Sequence, residues 1–151
     1  MTIRGAVHDD FNEIVEIVNS SELGNKYFNN NLHKLKKIIE KDIRESKLII
    51  ATIDSGKCIG VMSFDLEGAF GKYPYIHFMV IKDDYQRQKI GCQMMTFFEK
   101  IIAGFYNKIF LMVGDWNKMA FEFYTHLNYQ PLCEIDGFYN EQFKEILMVK
   151  G

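Results

Sequence analysis

Residues 85–93 read YQRQKIGCQ, set between the apolar run YIHFMVI (75–81) and the periodic run MMTFFEKII (94–102). Polar and basic residues, one glycine and one cysteine between two apolar segments read as a turn leading from a strand into a helix. A helix start leaves its first amide N–H groups unpaired and carries partial positive charge, so such a turn suits phosphate oxygens. Glycine is favoured where backbone must approach a ligand closely, and Gly91 is read that way or as a packing position. The stretch is neither a Walker A loop nor a G-x-G-x-x-G turn, which disfavours the common nucleotide-binding readings.

The elements on either side of this turn set the fold. Residues 2–7 form a first strand, and Asp9 or Asp10 caps a helix with Phe11, Ile14, Val15 and Val18 on its apolar face. The segment 22–31, ELGNKYFNNN, reads as a polar, turn-rich loop carrying Tyr27 and Phe28. A second helix places Leu32, Leu35, Ile39 and Ile43 on one side. KLIIATID and CIGVMSFDL, joined by Asp54-Ser55-Gly56-Lys57, form an antiparallel hairpin, and YPYIHFMVI follows the loop GAFGK as a third strand. Ile90, Met94, Phe98, Ile101 and Ile102 recur at helical spacing up to Gly104. A short strand at 108–113, a helix from Asn117 to Leu127 and two strands, 129–135 and 143–149, complete the chain. This order implies a mixed α/β (α+β) sheet with helices on its faces.

Composition bounds the partners. The chain has 151 residues, a formal net charge of −2 and 25 % charged residues, the profile of one soluble domain over residues 1–151. Basic residues are scattered among acidic ones, so a nucleic-acid surface is not expected. No apolar run reaches the length of a membrane span and the first residues lack a signal-peptide layout, which predicts a cytoplasmic protein. Cys58, Cys92 and Cys133 show neither a disulfide framework nor zinc spacing, so reduced thiols and no metal are expected.

The run IKDDYQRQKIGCQMM (81–95) resembles the acyl-CoA-binding segment of the GNAT superfamily of N-acetyltransferases, Gln/Arg-x-x-Gly-x-Gly/Ala after a strand, with Gln86, Lys89 and Gly91 on its defining positions. A second family segment is similar to the run from Asn117 through Ala120 and Tyr124 to Leu127-Asn128-Tyr129. Lys89 replaces the pattern's first glycine, and Asn128-Tyr129 replaces Gly-Phe. The resemblance implies the GNAT fold: a mostly antiparallel mixed sheet of six to seven strands, about four helices, and strands splayed around acyl-CoA. A helical backbone does not require glycine, so Lys89 is expected to be accommodated at a helical conformation with its side chain away from the phosphates.

By the same resemblance, the amides of Arg87, Gln88, Lys89, Ile90, Gly91 and Cys92, with Gln86, hold the pyrophosphate of acetyl-CoA. The backbone of Met79, Val80 and Ile81 pairs with the pantetheine arm, and Asn117 touches that arm while also serving as a helix N-cap. Tyr124 protonates the departing sulfur, and a backbone N–H near Val80 meets the oxyanion. The arylalkylamine branch carries two histidines at positions matching Tyr75 and His77, so His77 is the expected base, directly or through a water. The acceptor is an amine, bounded by Tyr27, Phe28, Tyr75, the 68–74 loop and residues 136–141, and the protein is a monomer or homodimer. Two other readings remain open: a non-catalytic acyl-CoA-binding module, and an interaction domain that has lost coenzyme A, for which Lys89 is the strongest sign.

Overall fold

The computed structural model describes residues 1–29 and 31–151. Asn30, within the segment read above as a loop, lies outside the described residues. Seven strands form one sheet in the order β1-β2-β3-β4-β5-β7-β6. They are β1 Thr2–Gly5, β2 Leu48–Thr52, β3 Cys58–Ala69, β4 Tyr73–Ile81, β5 Ile109–Gly114, β6 Gln130–Asp136 and β7 Lys144–Lys150. The β4–β5 pair is parallel, while β1–β2, β2–β3, β5–β7 and β6–β7 are antiparallel, so the sheet is mixed as the element order implies. The helices are α1 Phe11–Asn19, α2 Glu22–Tyr27, α3 Leu32–Arg44, α4 Ile90–Ile102 and α5 Lys118–His126.

The chain divides into two compact units, one of Met1–Ser63 with Phe78–Ile101 and one of Phe64–His77 with Ile102–Gly151. In the first, Ile14 and Val18 of α1 and Leu35 and Ile39 of α3 are wholly buried and pack with Leu48, Ile50, Val61 and Val80. Each such side chain contributes about 1.5–3 kcal/mol by leaving water. On α4 the buried residues are Ile90, Met94, Met95, Phe98 and Ile102, whereas Ile101, expected on that face, is 51 % exposed. Gly60 lets α4 approach β3, because a Cβ there would lie 2.9 Å from Ile81 Cδ1 and 3.0 Å from Met94 Sδ.

Two local expectations change. Residues 22–27 are helix, not loop: Ser21 Oγ accepts from the Gly24 amide at 3.0 Å, which starts α2. Gly24 is required there, since a Cβ would collide with the Val18 carbonyl oxygen. Six residues with a glycine inside are too short and too polar to show helical periodicity, which is why the sequence reads as loop. Asp10 does precede α1, yet its side chain does not cap it. The carboxylate instead accepts from Arg4 at 2.8 and 3.0 Å and from the Val7 amide at 2.7 Å. The Arg4 hydrogen bond is the main cause holding the Asp10 carboxyl below its usual range.

In the second unit, Ala69, Tyr75 and Phe110 form a cluster joined by Tyr73, Met112, Leu147 and Val149, all strand residues. The 68–72 loop contracts to a two-residue turn. Phe70 and Gly71 take φ of 56° and 68°, and the Lys72 amide donates to the Ala69 carbonyl at 3.0 Å, the geometry of a type I′ hairpin.

Candidate acetyl-transfer site

Within the first unit, β4 ends at Ile81, a short 3-10 turn covers Asp83–Tyr85, and α4 begins at Ile90. Gln86 ties the turn to the strand, its Nε2 donating to the Ile81 carbonyl and to Asp83 Oδ1, both at 3.2 Å. Gln88 Nε2 donates to the Asp84 carbonyl at 3.3 Å. These two side chains therefore brace the turn. Arg87 and Lys89 are exposed and take φ of 63° and 64°. The Lys89 carbonyl accepts the first helical bond, from the Gln93 amide at 3.1 Å. The amides of Ile90, Gly91 and Cys92 open the helix with no carbonyl one turn earlier to bind, and no acidic residue stands in that first turn.

The expected helical conformation of Lys89 is thus overturned. Its backbone is left-handed, the region where a Cβ crowds the following carbonyl at a cost of about 1–2 kcal/mol. Asn128 shows the same pattern: it follows the last turn of α5 with φ of 70°, the left-handed position that ends many helices. Both departures from the family's glycines therefore keep the backbone conformation that glycine serves. Asn adopts it readily and Lys does not, so Lys89 is the strained one of the two. Left-handed residues such as those at 87 and 89 occur in the backbone turns that can cradle anions.

In the second unit, Asn117 caps α5, its Oδ1 accepting from the Ala120 amide at 3.1 Å. Tyr124 is buried, its ring edge-on to Phe123 at 5.0 Å and to Tyr129 at 5.6 Å. Burial alone pushes its phenol far above the ordinary range, so it stays protonated through the working pH range. A cavity is lined by Gly114, Asp115, Asn117, Lys118, Phe121 and Ile146 among others. On β4, His77 is exposed and stacks edge-on against Tyr75 at 4.9 Å. Tyr75 itself is buried, its hydroxyl 2.7 Å from that of Tyr139. The β4–β5 pairing comprises Tyr75–Phe110 and Ile76–Leu111, and Met79, Val80 and Ile81 follow that pair along β4.

Tyr27 is the last residue of α2 and Phe28 its C-cap, and Phe28 packs on the α1–α3 core. They are helix-end residues, not loop residues, for the reason given above. Tyr139 falls within the 136–141 segment expected to bound the acceptor, whereas sequence reading missed Glu145. Glu145 is 2 % exposed on β7, and the only signal was a charged residue inside an apolar run, KEILMVK. Among the described residues no group of three or more His, Cys, Asp or Glu side chains could hold a metal ion, and no helix is long and apolar enough to cross a membrane.

A mixed sheet whose fourth strand runs through an amide-lined turn into a helix defines the fold class. The Acetyltransferase (GNAT) family matches residues 11–129, well over half of the chain, and the chain belongs to that family. The solved structure of a GNAT-family acetyltransferase from Bacillus cereus is similar, with TM-score 0.76, 15 % identity, and 99 % of this chain and 95 % of that one covered. Ard1 from Thermoplasma volcanium superposes with TM-score 0.80 at 16 % identity over 99 % and 95 %. An aminoglycoside 6′-N-acetyltransferase complexed with coenzyme A gives 0.76 at 14 % over 99 % and 96 %. No curated protein matches the chain by sequence.

Proposed function

We propose that the protein is an N-acetyltransferase that moves an acetyl group from acetyl-CoA to a primary amine. The observation that carries this reading is the turn from Gln86 to Cys92: left-handed residues at 87 and 89, leading into a helix start with no carboxylate in its first turn. That is a receptor for a pyrophosphate, and the fit supports coenzyme A. Acetyl-CoA supplies the activated acyl group when bound. Backbone groups of Met79, Val80 and Ile81 serve the pantetheine arm, and the Val80 amide serves the oxyanion.

Transfer joins the amine nitrogen to the acetyl carbon and breaks the carbon–sulfur bond. One proton leaves the amine, to His77 or a water, and one goes to the departing sulfur from Tyr124. Burial keeps the Tyr124 phenol protonated and so available as the donor, and the phenolate left behind takes back one proton from water, balancing the proton that leaves the amine. His77, being exposed, can pass its proton to solvent. Holding both reactants supplies much of the acceleration, so few dedicated side chains are needed.

The test of the base is His77→Gln. The acid limb of the kcat/KM profile, set by protonation of the base, should disappear with acetyl-CoA binding unchanged. An unaltered limb would remove His77 from the mechanism. We further propose a cytoplasmic location.

A further inference from the structure

His77 is exposed on β4, and a base has to be aimed, because it must come within hydrogen-bond distance of the proton it takes. Its neighbour two residues back supplies a support. By the two-residue strand period Tyr75 lies on the same face, and the two rings meet edge to face, 4.9 Å apart with 79° between their planes. Tyr75 is itself fixed at both ends. Its ring is buried and packs with Ala69 and Phe110, and its hydroxyl lies 2.7 Å from that of Tyr139.

Tyr139 comes from the β6–β7 connection, 64 residues along the chain, and that connection is tied to itself. The Gly137 amide donates to the Phe143 carbonyl at 3.1 Å, the Phe143 amide to the Asn140 carbonyl at 3.0 Å, and the Gln142 amide to Asn140 Oδ1 at 2.9 Å. Tyr139 is 49 % exposed, so much of it adds nothing to packing, yet its hydroxyl reaches inward to Tyr75. Tyr75, His77 and Tyr139 all belong to the second compact unit, and both contacts lie within it.

We propose that Tyr139 is a positioning residue for His77: its hydroxyl holds that of Tyr75, and the Tyr75 ring holds the imidazole in the orientation from which it takes the amine proton. This deepens the acetyl-transfer reading and rests on it. It also gives Tyr75 a different part from the one its sequence position implies. Expected to bound the acceptor, Tyr75 is buried and acts on the base.

The test begins with the whole protein without substrate, at one fixed pH. Among the four histidines of the chain, the side-chain proton–carbon NMR signal lost in His77→Gln is that of His77. In wild type the Tyr75 ring displaces this signal from the position of a freely rotating imidazole. In Tyr139→Phe, which keeps the ring and deletes the hydroxyl, the signal should move back toward that position; an unmoved signal overturns the proposal. Should Tyr139→Phe fail to fold, Tyr75→Phe removes the same bond from the other side and is judged by the same criterion. Kinetics give the second arm. In Tyr139→Phe kcat should fall about three- to ten-fold, the scale of one hydrogen bond, with the KM for acetyl-CoA unchanged. Made in His77→Gln, the same change should cost less than about two-fold, because the group it positions is gone. A loss of equal size in both backgrounds means that the hydroxyl serves the fold and not the base, and overturns the proposal. Normal thiol release from acetyl-CoA with the His77 signal unmoved would sink the positioning alone. No thiol release by wild type would sink the acetyl-transfer reading, and the NMR comparison would still decide whether Tyr139 orients His77.

Discussion

Replacing Lys89 with glycine separates two effects that the lysine combines. At φ of 64° a Cβ costs about 1–2 kcal/mol, which Lys89→Gly removes. Glycine in turn costs about 0.5–1 kcal/mol more entropy on folding. The net expectation is a gain of about 0.5–1 kcal/mol, equivalent to about 1–4 °C in Tm for a chain of this length. Binding should move the other way. The exposed ammonium adds a screened attraction to a pyrophosphate held on neighbouring amides, worth about 0.5 kcal/mol or two- to three-fold in Kd at low salt and less at high salt. Thermal unfolding reads the first effect and calorimetric titration with acetyl-CoA at two salt concentrations reads the second. A less stable variant would refute the strain reasoning. Tighter binding by the variant would show that Lys89 obstructs the turn, and would favour a domain that has lost coenzyme A.

Two further predictions concern stability. Burial pushes the Cys58 thiol up to about 11, so between about pH 9 and 11 the native state keeps a proton that the unfolded chain has released, and stability falls as pH rises by about 1.4 kcal/mol per unit. Tm should drop over that range in wild type and less in Cys58→Ala; identical slopes would exclude this thiol as the cause. Asp10→Ala removes the acceptor of Arg4 and of the Val7 amide and should cost about 2 kcal/mol at pH 7, discounted because Arg4 is partly solvated. Since the carboxyl titrates lower in the folded protein, its contribution is present above about pH 4 and lost as pH falls further. The difference between variant and wild type in urea unfolding should shrink by pH 3; a constant difference would show that the ion pair is not the source.

Much of this architecture was legible before the structure. The strand Tyr73–Ile81, the start of α4 at Ile90 and the N-cap role of Asn117 agree with the sequence reading, because strong apolar periodicity and capping chemistry act locally. Other features depend on information a single residue does not carry. A lysine does not announce a left-handed backbone, so the conformation of Lys89 had to come from the structure, although Asn128 could have been recognised, since asparagine enters that region readily. In KEILMVK both faces of the strand are apolar, so alternation could not show that Glu145 points inward. Tyr139 lies 64 residues along the chain from Tyr75, and nothing local joins them.

The most direct test of the central claim is release of free thiol from acetyl-CoA in the presence of a panel of primary amines, by wild type and by Tyr124→Phe, with the acetyl-CoA melting shift measured alongside. Wild type should release thiol with at least one amine, and Tyr124→Phe should lose about 10²-fold or more in kcat while keeping the shift. Equal turnover by the two proteins would remove Tyr124 from the chemistry, and no melting shift at millimolar acetyl-CoA would contradict the account altogether.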